Sequence, residues 1–302
     1  MLRFRFLTMT LIMLMLTACG ATQQTTAPTT SAEPKIQAVL ATSNLVAGAQ
    51  PNRLPIGLVV DGTSINEPNA KVHLKFYFLS GTEAQKTQVA GESDAQYYGK
   101  GLPVGIYVTY PTFPVAGAWG VEVEATLPNQ AKPAVSRLRI DVLAQDPTPA
   151  LGSKAIPVDT PTVKNNPDLS KITSDAQPNP ALYQISVSDA LKNGKPTVIL
   201  FGTPGFCKTA TCGPSIKVLG TLQKQFGDQA NFIHIEVYQY PFGESVVANP
   251  PKLVPAMAAW GLQSEPWLFI MGKDGTILYK YEGGITLEET EPVMKDILQN
   301  NR

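Results

Sequence analysis

Three cysteines occur in the 302 residues, and two of them, Cys207 and Cys212, stand with four residues between them. Two thiols at that spacing can exchange electrons with another disulfide, hold a soft metal ion, or close a small structural loop. Exchange needs an exposed thiolate and a second sulfur within reach. A helix N-terminus favours the thiolate, and Pro214 suits the first turn of a helix running to about Phe226 and closed by Gly227. As a structural staple, so short a loop stabilises a fold by about 2 kcal/mol on the chain-entropy model, which makes stapling the weaker use of the pair. The two histidines offer less. His73 lies on the polar face of an alternating segment and reads as solvated, and His234 lies in the apolar run Phe232-Ile233-His234-Ile235 and reads as packing. Two cysteines and one histidine fall short of the four ligands of structural zinc.

The third cysteine closes a different segment. Arg3 and Arg5 are followed by an apolar run, Phe6 to Leu16, too short to span a bilayer comfortably. Leu16-Thr17-Ala18-Cys19 then matches the lipobox of bacterial lipoproteins. That resemblance implies a signal peptide over residues 1–18, a lipid on Cys19, and attachment to the cell membrane on its extracytoplasmic face, with two or more acyl chains needed for stable anchoring. Residues 19–35 are rich in Thr, Gln, Ala, Ser and Pro, cannot bury a core, and are expected to form a disordered tether of about 20 Å. In an exported, oxidising setting Cys207 and Cys212 are expected to pair.

The rest of the chain must position that pair. Its 24 basic and 24 acidic residues cancel, which leaves no electrostatic case for a nucleic-acid partner. Residues 36–145 alternate with period two: Val72, Leu74, Phe76 and Phe78 share one face, while Lys71, His73 and Lys75 share the other. Further strands are expected over 105–110, 119–126 and 135–142. The spacing predicts an immunoglobulin-like β-sandwich without the antibody-type disulfide, with Trp119 in its core and no catalytic constellation. Residues 146–180 carry seven prolines from Pro147 to Pro180 and read as a linker or as an extended arm lying on a domain. Residues 181–302 turn α/β. Ser188 is expected to cap a short helix ended by Gly194, Thr197 to Phe201 is a strand buried on both faces, and 231–238 is a second strand. A helix over 253–260, strands over 267–271 and 276–281 around Lys273-Asp274-Gly275, and a helix opened by the capping box Thr286-Leu287-Glu288-Glu289 complete the order β-α-β-α-β-β-α.

Three segments within that order carry a resemblance to thioredoxin-like proteins, over about Ala181 to Asn300. Lys195 to Phe201 leads into Gly202-Thr203-Pro204-Gly205-Phe206-Cys207, Cys212-Gly213-Pro214 opens a helix, and Ser264-Glu265-Pro266-Trp267 precedes the hairpin. The resemblance implies a cis Pro266 facing the cysteines, Cys207 as nucleophile, Cys212 as resolving thiol, no cofactor or resident metal, and thiol-disulfide exchange with exported protein thiols and disulfides. The reverse order of the two thiols stays open, because Cys212 is nearer the helix end. Thioredoxins place two residues between their cysteines; the four here mean that no reduction potential carries over. The layout is also similar, more weakly, to SCO-type copper chaperones, which use three intervening residues and a distal histidine. The alternative function is therefore a non-catalytic binding or copper-handling lipoprotein with a structural or metal-binding pair. Peroxiredoxins use Thr-x-x-Cys and an arginine; Thr203 to Cys207 is one residue longer, and no arginine lies between Arg139 and Arg302.

Overall fold

Alternating apolar and polar residues build the N-terminal half of the computed structural model, which describes residues 35–207 and 211–301. The signal sequence, Cys19 and nearly all of the tether lie outside the described residues, as do Lys208 to Ala210 between the cysteines. Nine strands are described here: β1 (Ile36–Leu40), β2 (Leu45–Val46), β3 (Leu54–Val60), β4 (Thr63–Ser64), β5 (Lys71–Phe78), β6 (Gly91–Tyr97), β7 (Tyr107–Thr109), β8 (Gly117–Thr126) and β9 (Ala134–Leu143), with one short helix, α1 (Glu83–Thr87). They form one hydrogen-bonded path, β1-β3-β7-β6-β5-β8-β9-β2, with β4 on β3. The path turns within β6, whose residues 91–95 pair with β5 while Gln96 and Tyr97 pair with β7. Its two arms then face each other across one core, in which Ile36, Ile56 and Leu58 meet Leu74, Trp119, Val123 and Ile140. The Ala38 N–H of β1 donates to Ser136 Oγ of β9 at 3.1 Å across the fold. Trp119 is buried against Phe78 and Phe113, and His73 lies at the surface beside Asp94 and Glu92.

The C-terminal part holds α2 (Val187–Ala190), β10 (Thr197–Gly202), α3 (Cys212–Phe226), β11 (Asn231–Glu236), α4 (Phe242–Val247), α5 (Pro255–Ala259), β12 (Trp267–Met271), β13 (Ile277–Glu282) and α6 (Leu287–Gln299). Its sheet runs β11-β10-β12-β13, parallel between β10 and β11 and antiparallel elsewhere. Every residue of β10 is buried because both faces are covered. Val198 and Leu200 pack toward Leu219 and Leu222 of α3 and Met294 and Ile297 of α6, while Ile199 and Phe201 pack toward Val187, Met257 and Trp260. This is a thioredoxin-like arrangement. Helix α3 runs from Cys212 to Phe226 with Pro214 in its first turn, as expected. Two local expectations are corrected. Ser186, not Ser188, caps α2 by accepting from the Asp189 N–H at 3.2 Å, because Val187 must point inward. The strand expected over 231–238 ends at Glu236, and α4 follows it.

The proline-rich stretch lies on the α/β part. Ala155 N–H donates to Gly275 O at 2.9 Å, the Trp260 indole N–H to Ile156 O at 3.1 Å, and Ala155, Thr160 and Ile172 are buried. The β part is also fastened to it. Arg53 and Glu289 form an ion pair at 2.8 Å with side chains only 8% and 3% exposed, and Lys280 pairs with Asp146, the first residue of the proline-rich arm just after β9. Burial opposes the Arg53 charge, and Glu289 beside it more than compensates, so its pKa stands above the ordinary arginine value. Among the described residues no helix is long and apolar enough to cross a membrane.

Candidate active site

Strand β10 ends at Gly202, where three walls converge. A Cβ added there would lie 3.8 Å from Pro266 Cβ and 3.9 Å from Cys212 Cβ. Cys212 is the first residue of α3 and is fully buried; Cys207 is half-buried, and both are thiols. The first N–H groups of a helix have no partner within it. One of them, that of Cys212, donates to Cys207 Sγ at 3.2 Å. Cys212 Sγ in turn donates to Glu265 Oε2 at 2.8 Å. The peptide between Glu265 and Pro266 is cis. The structure thus brings Cys207, Cys212 and Pro266 together. It adds Glu265, whose only signal in the sequence was its place immediately before Pro266.

The electrostatics of the two sulfurs differ. Contact with Cys207, then burial, then the bond to Glu265 all push the Cys212 thiol well above its ordinary pKa. Burial pushes the Glu265 carboxyl up to about 6, and the charges of Cys207 and Glu236 add to that. The bonds from Cys212 and from the Thr203 N–H, at 3.1 Å, work in the opposite direction.

The loop before Cys207 rests on the proline-rich arm. Gly205 N–H donates to Ser174 Oγ at 3.0 Å, and a Cβ at Gly205 would come within 2.7 Å of Ser174 O. Ser174 donates from Oγ and N–H to Glu236 Oε2, at 2.6 and 2.7 Å. Phe206 meets Tyr238 edge to face at 6.5 Å between ring centres. His234 stays out of this cluster. Its ring nitrogens contact the Tyr183 hydroxyl at 2.7 Å and Gly202 O at 3.0 Å, and burial lowers its pKa. Ser174 and Glu236 carried no signal in the sequence, since a serine in a proline-rich stretch and a glutamate ending a strand are unremarkable. Donor atoms of Cys207, Cys212 and Glu265 lie within 4.8 Å of one another, a set able to accept a soft metal ion once the thiols ionise.

No protein-family model matches the sequence. No curated protein sequence matches it either. Solved structures do resemble the fold. A thiol:disulfide interchange protein of the thioredoxin family from Chlorobium tepidum is 18% identical, covers 48% of this chain and 99% of its own, and superposes with a TM-score of 0.31. A DsbF homologue from Corynebacterium diphtheriae is 14% identical, covering 49% of this chain and 90% of its own at a TM-score of 0.33. A CARDB domain from Pyrococcus furiosus is 10% identical, covering 36% of this chain and 89% of its own at a TM-score of 0.22. These are likenesses of backbone; what the site can do is set by its own side chains.

Proposed function

We propose that this chain is a thiol-disulfide oxidoreductase acting on protein thiols and disulfides through Cys207 and Cys212. The observation that carries the reading is the asymmetry of the two sulfurs. Cys207 is accessible and receives a helix N-terminal N–H, whereas Cys212 is buried, protonated and bonded to a carboxylate. A thiolate at Cys207 attacks one sulfur of a client disulfide; a mixed disulfide forms and a client thiolate leaves and takes a proton. Cys212 then passes its proton to Glu265 and attacks Cys207 Sγ. The Cys207–Cys212 disulfide forms, the second client thiolate is released, and two electrons have moved to the client. The reverse sequence oxidises a client dithiol. Cys212→Ser is expected to accumulate mixed disulfides with clients, and Cys207→Ser to accumulate none. Equal trapping by the two variants overturns the assignment of roles.

The lipobox supports an extracytoplasmic, membrane-tethered setting, with the β part as an immunoglobulin-like spacer or docking module ahead of the redox unit. Metabolic labelling with a fatty-acid analogue tests the anchor: wild type is expected to label and Cys19→Ala to remain unlabelled. The convergence of two thiols and a carboxylate favours one second reading, a copper-handling lipoprotein. Stoichiometric, tight binding of copper(I) by the reduced chain, together with no trapped client, would select it.

A further inference from the structure

The segment that touches Cys212 is held from outside the α/β part. Glu282 ends β13 and is 8% exposed. Its carboxylate accepts from the Thr42 hydroxyl, from Ser43 N–H at 3.0 Å, from Ser43 Oγ at 2.7 Å and from Asn44 N–H at 2.9 Å, all in the turn between β1 and β2. It also accepts from the Ser264 hydroxyl, whose oxygen takes the Trp267 indole N–H at 2.9 Å. Ser264 immediately precedes Glu265. Gly283 N–H donates to Pro266 O at 3.0 Å, and Gly283 has a φ of +71°. A Cβ there would lie 1.6 Å from Ala41 O, so the β part approaches a backbone that only glycine permits. Arg53 closes the far side, donating to Glu282 O and Gly284 O at 2.7 Å each. Opposite, Leu102, Val104 and Ile106 of the β part line a narrow crevice with Thr211, Pro214 and Ile285, at the start of the helix that carries Cys212.

We infer that the N-terminal β part is a structural component of the redox site: through Glu282 it positions Ser264, and hence Glu265 and Pro266, against Cys212. Glu282 and Ser264 are positioning residues: they act through Glu265, the residue that meets Cys212 Sγ. Charge-assisted hydrogen bonds are strong and directional. Five donors on one buried carboxylate leave Ser264 little freedom, and the adjoining Glu265 inherits that restriction. The consequence is chemical, because the bond from Cys212 to Glu265 exists only in the dithiol form; a disulfide carries no S–H. Loosening the joint therefore weakens the dithiol and shifts the equilibrium toward the disulfide.

This inference rests on the exchange reading above, and one experiment separates the two. The full chain carrying Cys19→Ala, so that a third thiol does not interfere, is equilibrated with glutathione. The reaction is dithiol plus oxidised glutathione giving disulfide plus two reduced glutathiones. Ser264→Ala, and independently Thr42→Val in the β part, are expected to raise its equilibrium constant by about three- to tenfold, the scale of a weakened hydrogen bond to a charged group. Tyr110→Phe removes a bond to Glu289 elsewhere in the same interface and is expected to leave the constant within twofold, so that loss of interface stability alone does not produce the shift. If Ser264→Ala and Thr42→Val both fold and both stay within twofold of the parent, the positioning role is overturned while exchange stands. If the parent pair never equilibrates with glutathione, exchange and positioning fall together.

Discussion

Cys212 Sγ and Glu265 Oε2 are 2.8 Å apart, at the meeting point of the start of α3 and the cis peptide before Pro266. A thiol and a carboxyl that share a proton each depend on the other's ionisation. Burial holds Glu265 at about 6, above its ordinary 4.5. The folded chain therefore binds this proton more tightly than the unfolded chain. The carboxyl contributes stability below pH 4.5 and loses that contribution as the pH rises through 6. The full effect is about 2 kcal/mol, and solvent screening of a half-buried group reduces it to about 1. Denaturant melts of the reduced protein between pH 4.5 and 6.5 are expected to show this slope, and Glu265→Gln is expected to flatten it.

The two thiols are expected to differ in reactivity. Cys207 is half-buried and Cys212 fully buried, so iodoacetamide labels Cys207 first and Cys212 only on unfolding. Peptide mapping of partially alkylated native protein checks this; equal labelling of both sites contradicts the asymmetry on which the exchange reading rests.

Arg53 crosses the junction of the two parts, bonded to the Glu289 carboxylate, Glu282 O and Gly284 O. Arg53→Met leaves the Glu289 carboxylate buried without its cation and is expected to cost about 3–5 kcal/mol by chemical denaturation. The double variant Arg53→Met, Glu289→Leu is expected to recover most of that, because an apolar pair carries no uncompensated charge.

The proline-rich arm is expected to behave as part of the α/β core. Ile172 is 5% exposed and belongs to the apolar cluster that contains Leu219 and Met294. Ile172→Ala is expected to cost about 2–5 kcal/mol. A fragment starting at residue 181 loses the whole arm and is expected to melt far below one starting at residue 146. Equal melting temperatures for the two fragments would show the arm to be a passive linker.

Segments with one dominant local signal were legible in advance. Strict alternation revealed β5, the unbroken apolar run revealed β10, and Thr286 does cap α6, accepting from the Glu289 N–H at 3.2 Å. Segments whose local chemistry points away from their tertiary role were not. Strand β3 contains Pro55 and Gly57, which read as turn residues, yet it lies between two other strands with Leu54, Ile56 and Leu58 buried. Strand β6 is too polar to announce a buried face. Glu289 looked like a local capping-box residue, whereas its carboxylate faces an arginine 236 positions away. The cysteines and Pro266 were visible as a motif. Glu265 and Glu282 acquire their meaning from neighbours that only the fold supplies.

The joint at Glu282 also bears on the order of assembly. Thr42 and Glu282 are separated by 240 positions, so the turn that grips the carboxylate is synthesised long before the carboxylate itself. Contacts this distant along the chain form late, after both partners have largely taken shape. The β part leaves the ribosome first and can present a preformed socket. The α/β part, arriving last, seats its Glu282 there and in the same event draws Glu265 toward Cys212. Completion of the Cys212–Glu265 contact would then coincide with the final docking step, so a nascent or truncated chain would carry its two cysteines without that carboxylate beside them.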